Sequence, residues 1–347
     1  MRFDFENKSE KNKFELLFQT HKNNLEYLSY ICLIEKDEKV SKSVRSFSFN
    51  NEMDSFSIKK NFIDEILKSY PSNSAFILDN LLWDTHLLST KEYDCDPYLK
   101  TFVDAIPSEK IPAFGLFKYG EQYASGETMM LKMDYGFFNK AFDCPTLILR
   151  NKHKLSITPL DIKLSKIPLQ IAKGKILILG LKLGYFAYLA SLKQDVNEID
   201  VVENNLELIS LFKNILLPLF PQNKNVNVIC ADALDYLNST QDRQYDFIYV
   251  DLWDEAQKGI EQYLSVQKAF ENFHITKRFC YLENAIITQL CLLVIDVLID
   301  SYEHRNKPYR GLKRKINQSL KEVTLSNSYE LDALLSIKGL RKLLLTK

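Results

Sequence analysis

The stretch GKILILGLKLGYFAYLAS, Gly174–Ser191, decides the fold. Four apolar residues, Ile176 to Leu179, run into Gly180, a short turn follows, and then a segment that reads as a helix. A buried strand, a glycine turn and a helix open either a ligand-binding loop or an ordinary strand-to-helix connection. Lys182 sharpens the question, because it stands between Gly180 and Gly184 where such a loop usually carries a glycine.

The pattern continues downstream. KILILG precedes a helix over Leu183–Leu192, IDVVE one over Asn205–Leu216, and VNVIC the short helical DALDYL. DFIYVD precedes a helix over Glu255–Phe273, and RFCYLE one over Ala285–Tyr302. Apolar strands alternating with helices predict an α/β fold, a doubly wound, mainly parallel sheet covered on both faces. Upstream, SITPLDIKLSKIPLQIAKG reads as a helix capped by Thr158, with Pro159 in its first turn.

Elsewhere the texture differs. The first hundred residues read as mostly helical: NFIDEILKSY puts Phe62, Ile63, Ile66, Leu67 and Tyr70 on one face, and FILDNLLWDTHLL continues in that style. Between Ile111 and Arg150, short β-like runs separated by Gly and Pro predict one or two hairpins. The last forty residues read as helical. The organisation expected is a helical and hairpin region over 1–150 that shapes an acceptor site, a ligand-binding α/β domain over 151–305 and a helical extension over 306–347.

Composition excludes some functions. Of 347 residues, 45 are basic and 45 acidic, so net charge argues for neither nucleic acid nor an anionic membrane. The basic run HRNKPYRGLKRKINQSLK could touch nucleic-acid phosphates, but a solvated helix face is the favoured reading. Six scattered cysteines without a C-x-x-C pair predict reduced thiols, a cytoplasmic setting and no zinc site. The five histidines show no metal-ligand spacing. The greasiest run, Ala285–Ile299, is shorter than the ~20 residues that span a bilayer and is interrupted by Asp296, so it reads as a buried helix rather than a membrane anchor.

In such a sheet, ligands bind beyond the carboxyl ends of the strands. There Gly180 is followed by Glu203, then Asp232, then Asp251, each at or just after a successive strand end. This order fits a nucleoside. Glu203 is placed to accept both ribose hydroxyl protons. Asp232 is placed for an adenine amino group and the Ala233 N–H for a ring nitrogen, with Asp251 near whatever the ribose carries. Each residue also has a plainer role: a tight turn for Gly180 and Gly184, a macrodipole acid for Glu203, and helix caps for Asp232, Asp251 and Asp254. Trp253 reads equally as pocket wall or core. Neither the dinucleotide spacing G-x-G-x-x-G nor a P-loop is present.

With those residues in place, the segment from about Ser156 to Glu283 resembles the class I S-adenosylmethionine-dependent methyltransferases. ILILGLKLGYFAYLAS is similar to their first motif, VVEN to the acidic end of the second strand, ICADALDYL to the adenine-contacting motif and YDFIYVDLWD to the fourth-strand motif. The pair Asp251 and Asp254 leans toward the spermidine-synthase-like branch. The resemblance implies a Rossmann-like methyltransferase fold and S-adenosylmethionine as cofactor. It would be held by Gly180, Leu181, Lys182, Gly184, Glu203, Asn204, Asp232, Ala233 and Asp251. Asp251 and Asp254 would serve an acceptor of unidentified size and kind. Aminopropyl transfer and a non-catalytic binding role are the alternatives. Lys182 departs from the family's glycine. Its ammonium could pair with the methionine carboxylate, face solvent, or fill the pocket.

Overall fold

The computed structural model describes residues 1–36, 85–88, 97–111, 117–118, 120–125, 129–132, 135–138, 141–222 and 224–345. The helix predicted around Phe62–Tyr70 lies outside the described residues. So does most of FILDNLLWDTHLL, but its last four residues correct the helical expectation. Thr85–Leu88 is a strand, paired in parallel with Tyr135–Phe138. Pairing with a distant strand overrides local pattern in so short a segment.

The five predicted strands form one sheet: β1 (Gly174–Leu179), β2 (Val196–Glu203), β3 (Asn225–Cys230), β4 (Phe247–Val250) and β5 (Lys277–Cys280). Their order is β3-β2-β1-β4-β5, and every pairing is parallel. The fold is therefore α/β, a doubly wound Rossmann-like sheet. β1 lies at its centre, and Ile176, Leu177, Ile178 and Leu179 are all buried. A strand covered on both faces needs apolar side chains on both, which explains the unbroken run that marked it in the sequence.

The connecting helices are α1 (Tyr185–Ser191), α2 (Leu206–Leu211), α3 (Ala233–Ser239), α4 (Ala256–Ala269) and α5 (Glu283–Tyr302). The predicted helix Asn205–Leu216 is α-helical only to Leu211 and continues as a π-turn over Phe212–Leu216. At 20 residues, α5 is longer than the run read from the sequence and reaches membrane-crossing length. Two thirds of its most apolar window is buried inside this fold.

The flanking parts are tied in. Helix Pro159–Ile171 begins at a capping box, in which Thr158 and Asp161 satisfy each other's backbone N–H. Strand Phe142–Ile148 pairs antiparallel with both Ser108–Ile111 and Lys154–Ser156, so one hairpin runs across position 150. A second hairpin joins Tyr123–Ser125 to Met130–Lys132. The final segment is helical over Gly311–Leu320, Ser328–Leu335 and Ile337–Leu345. It also holds a two-residue strand, Thr324–Leu325, which pairs in parallel with Arg2–Phe3 and joins the two ends of the chain. Cys144, Cys230, Cys280 and Cys291 are free thiols.

Two glycines of the loop have packing reasons. Gly180 has φ +92°, and a Cβ there would lie 2.1 Å from the Asp251 carbonyl oxygen. Gly184 has φ +73°, and a Cβ there would lie 2.4 Å from the Phe212 ring. Gly180→Ala should therefore combine backbone strain with a clash against backbone, a loss of roughly 3 kcal/mol or more. A thermal melt should show the midpoint lowered by several degrees; an unchanged melt would mean that the β1–β4 approach relaxes freely.

Candidate functional site

The carboxyl ends of β3, β2, β1 and β4 lie side by side along one edge of the sheet, and the loop from Gly180 to Gly184 follows β1. Glu203, at the end of β2, anchors that loop. Its Oε2 accepts the Leu181 N–H at 3.1 Å, and its Oε1 accepts the N–H groups of Asn204 and Asn205 at 2.9 and 2.8 Å. Asp232 caps α3, with its Oδ1 accepting from Leu234 and Asp235 at 2.8 and 3.0 Å. Asp232 thus has its plainer role as a cap, Glu203 serves as a loop anchor, and both also line a cavity of about 240 Å³. Gly180, Asn204, Ala233 and Leu252 line it with them.

A larger cavity of about 650 Å³ lies beside it. Its walls are mostly apolar and aromatic, among them Phe117, Tyr185, Phe186, Tyr249 and Tyr281. Asp161, Ser165 and Thr158 supply polar groups. The two cavities share Gly180, Lys182, Asp251, Asp254, His153 and Leu155.

That shared wall is a charge cluster. Lys182 has φ +49°, a left-handed conformation that costs a residue with a Cβ about 1–2 kcal/mol. Its ammonium lies 3.6 Å from Asp251 Oδ1, donates to the Asp254 carboxylate and to the Trp253 carbonyl at 3.1 Å, and sits 5.5 Å above the Tyr281 ring. The lysine therefore fills the wall between the cavities. It is spent on these partners rather than on solvent. His153 Nε2 lies 2.9 Å from Asp254 Oδ2, extending the cluster into the hairpin.

Asp251 and Asp254 do not cap α4. Its N-cap is Glu255, and no side chain closes it. Asp251 Oδ1 is buried without a hydrogen bond. Burial pushes the Asp251 carboxyl up to about 7, with help from the negative charges of Asp161 and Asp254 and against the pull of Lys182. For Asp254, burial raises the carboxyl, but Lys182 and His153 outweigh it and hold the acid below its ordinary value. Lys182 is held above its ordinary value: burial works against its charge, and Asp251 and Asp254 overcome it. The two carboxylates are thus driven apart, one poised near neutrality and the other firmly ionised.

Sequence reasoning missed three members of this site. His153 comes from a hairpin and has no sequence signature. Tyr281, just past β5, donates its hydroxyl to Asp161 at 2.7 Å. Asp161 was legible as the fourth residue of the capping box Thr158-Pro159-Leu160-Asp161, but nothing pointed it at β5. Trp253 belongs to the core. It is buried, and its indole N–H donates to the Tyr281 carbonyl at 2.6 Å. The basic run lies elsewhere and is partly spent internally: Arg305 and Lys307 pair with buried Asp300, and Lys313 with Asp296, both acids of α5.

No family model matches the sequence, and no curated protein matches it. Among solved structures, the chain is similar to spermidine synthase from Thermotoga maritima, at 12% identity and a TM-score of 0.30, over 51% of this chain and 69% of that one. It is also similar to human methyltransferase-like protein 13 in complex with SAH, at 21% identity and a TM-score of 0.23, over 32% and 53%. A third match is spermidine synthase with the transition-state analogue AdoDATO, at 13% identity and a TM-score of 0.29, over 46% and 61%. Overlap this partial leaves the strand pairing of the chain itself to establish the fold.

The raised Asp251 carboxyl has a consequence for stability. Between the ordinary aspartate value of 3.8 and about 7, the folded chain keeps a proton that the unfolded chain has lost. Stability should therefore fall as pH rises through this window. Urea unfolding from pH 4 to 8 should show Asp251→Asn gaining on the native protein as pH approaches 7, by ~1 kcal/mol or more. A constant difference between the two proteins would place the Asp251 carboxyl in its ordinary range.

Proposed function

We propose that the chain binds S-adenosylmethionine and transfers its methyl group to an acceptor in the larger cavity. One observation carries the reading: a small polar cavity bearing Glu203, Asp232 and Ala233 meets a large apolar one at Gly180, Lys182, Asp251 and Asp254. At about 240 Å³, the small cavity lies below the roughly 300–1,000 Å³ of pockets that take whole drug-sized ligands. It suits a nucleoside whose substituent continues past the shared wall. The donor set agrees. Glu203 offers carboxylate oxygens to hydroxyl groups, Asp232 is an acceptor beside the Ala233 N–H, and the Gly180 turn allows close approach of backbone.

The cofactor would supply a sulfonium-bound methyl group that is already electrophilic. The chain then has two tasks, to hold the acceptor in line and to take its proton if it carries one. Asp251 suits the second. Its buried Oδ1 accepts no hydrogen bond, and its carboxyl, at about 7, is a usable base near neutral pH. The aromatic floor of Phe186, Tyr249 and Tyr281 suits the first. Phe186 and Tyr249 are stacked with centroids 3.9 Å apart, so the floor is stiff.

Aminopropyl transfer is the second reading. The placement of two carboxylates, Asp251 and Asp254, on the acceptor cavity favours it, because amines need such partners. Against it, an ammonium already sits between them, that of Lys182.

Calorimetric titration with S-adenosylmethionine, its decarboxylated form and S-adenosylhomocysteine separates the readings. The intact cofactor and S-adenosylhomocysteine should bind more tightly than the decarboxylated form. Preference for the decarboxylated form would favour aminopropyl transfer, and binding of none would leave a non-catalytic role. Glu203→Ala should weaken S-adenosylmethionine binding about tenfold or more, since hydrogen bonds to a charged group contribute roughly 1.5–3 kcal/mol. Unchanged affinity in that variant would remove Glu203 from the ribose.

A further inference from the structure

We propose that Lys182 is the built-in occupant of a cation cage in the acceptor wall, and that it bars primary amines and reserves the cavity for uncharged acceptors. The proposal deepens the methyl-transfer reading and rests on it for the identity of the larger cavity as the acceptor site.

The cage has four sides: the carboxylates of Asp251 and Asp254, the Trp253 carbonyl oxygen and the face of the Tyr281 ring. Two anions, a carbonyl and an aromatic face together recognise an alkylammonium group. Three sides belong to residues whose side chains are held by bonds that do not involve Lys182, and the fourth, Asp251, is held by its backbone. Asp254 is held through its other oxygen by His153. The Trp253 indole N–H donates to the Tyr281 carbonyl, and the Tyr281 hydroxyl to Asp161. The Asp251 N–H donates to the Leu179 carbonyl at 2.8 Å. The cage is therefore organised by the fold, and the lysine is its contents rather than its support.

The backbone at Lys182 points the same way. Its φ of +49° is relaxed for glycine and strained for lysine, so the loop does not need this side chain for its shape. The ammonium lies on the wall common to both cavities, where a charged group arriving from the larger one would have to sit. With the cage filled, an incoming amine meets a like charge in place of its partners. An anionic acceptor meets the carboxylates of Asp161, Asp251 and Asp254 on the same walls, where the other two ammonium groups, Lys154 and Lys258, are already paired with Glu109 and Glu255. An uncharged acceptor meets neither penalty, and the apolar, aromatic lining favours it.

The test uses 1,4-diaminobutane as probe and 1,4-butanediol as its uncharged control, titrated calorimetrically into the native protein and Lys182→Gly. The variant should bind the diamine at least tenfold more tightly than the native protein does, with no matching gain for the diol. Adding Asp254→Asn to Lys182→Gly should abolish the gain. Equal diamine binding by native and variant, or none by either, overturns the proposal. If the glycine variant does not fold by circular dichroism, Lys182→Met is read in its place with the same expectations. S-adenosylhomocysteine is titrated into the same samples. Its failure to bind would sink the methyl-transfer reading alone, while the diamine comparison would still decide the cage.

Discussion

The close approach of two parallel strands, β1 and β4, is the constraint on which the site depends. The chain leaves β1 toward β2 on one side and returns at β4 on the other, so a crevice opens where their carboxyl ends diverge. Three backbone features fix that crevice. The Gly180 N–H donates to Val202, the Asp251 N–H donates to Leu179, and the Asp251 carbonyl presses so near Gly180 that no Cβ would fit. The ammonium and both carboxylates of the shared wall follow these ends. Asp251 and Asp254 follow β4, Lys182 follows β1, and Glu203 ties the β1 loop to β2.

Gly180 and Gly184 show how a structural and a ligand-binding reading can be the same fact. Both have positive φ, and both lie against neighbours that exclude a side chain. A glycine that lets one strand end approach another also leaves backbone bare at the bottom of the crevice, where a ligand can approach it. Asp232 and Glu203 behave alike. As cap and loop anchor they are held in place, and held in place they face the smaller cavity.

Much of this was legible in the sequence, for identifiable reasons. Strands β1 and β4 were readable because a strand buried on both faces must be apolar throughout, the other three because their short apolar runs alternate with helices, and the acidic ends because that alternation counts them off. What was not legible came from contacts between distant segments. Nothing in the sequence around His153 shows that a hairpin will bring it to Asp254, 101 residues away. Tyr281 and Asp161, 120 residues apart, meet only because helix Pro159–Ile171 packs beside the end of β5. Thr85–Leu88 looked helical because four residues carry too little pattern to resist a strand partner some fifty positions on. The destination of the Lys182 side chain was hidden for another reason. A left-handed residue in a glycine loop aims its side chain in a direction that periodicity does not describe.

Why a lysine stands there at all is an energetic question. Lys182 carries a strained backbone and a partly buried charge, and one of its partners, Asp251, is an acid that burial has driven halfway to neutral. Pairs of this kind seldom add much stability, because desolvation offsets most of the Coulombic attraction, although removing the lysine alone would leave two carboxylates without it. A glycine would relieve the strain and leave the Asp254–His153 contact in place. Stability alone therefore does not decide the residue. Its location does: the one ammonium of the shared wall sits between the only two carboxylates that belong to both cavities among the described residues after β4. A charged group on a strained backbone, at the junction of two cavities, is better explained by what it admits and excludes than by what it holds together.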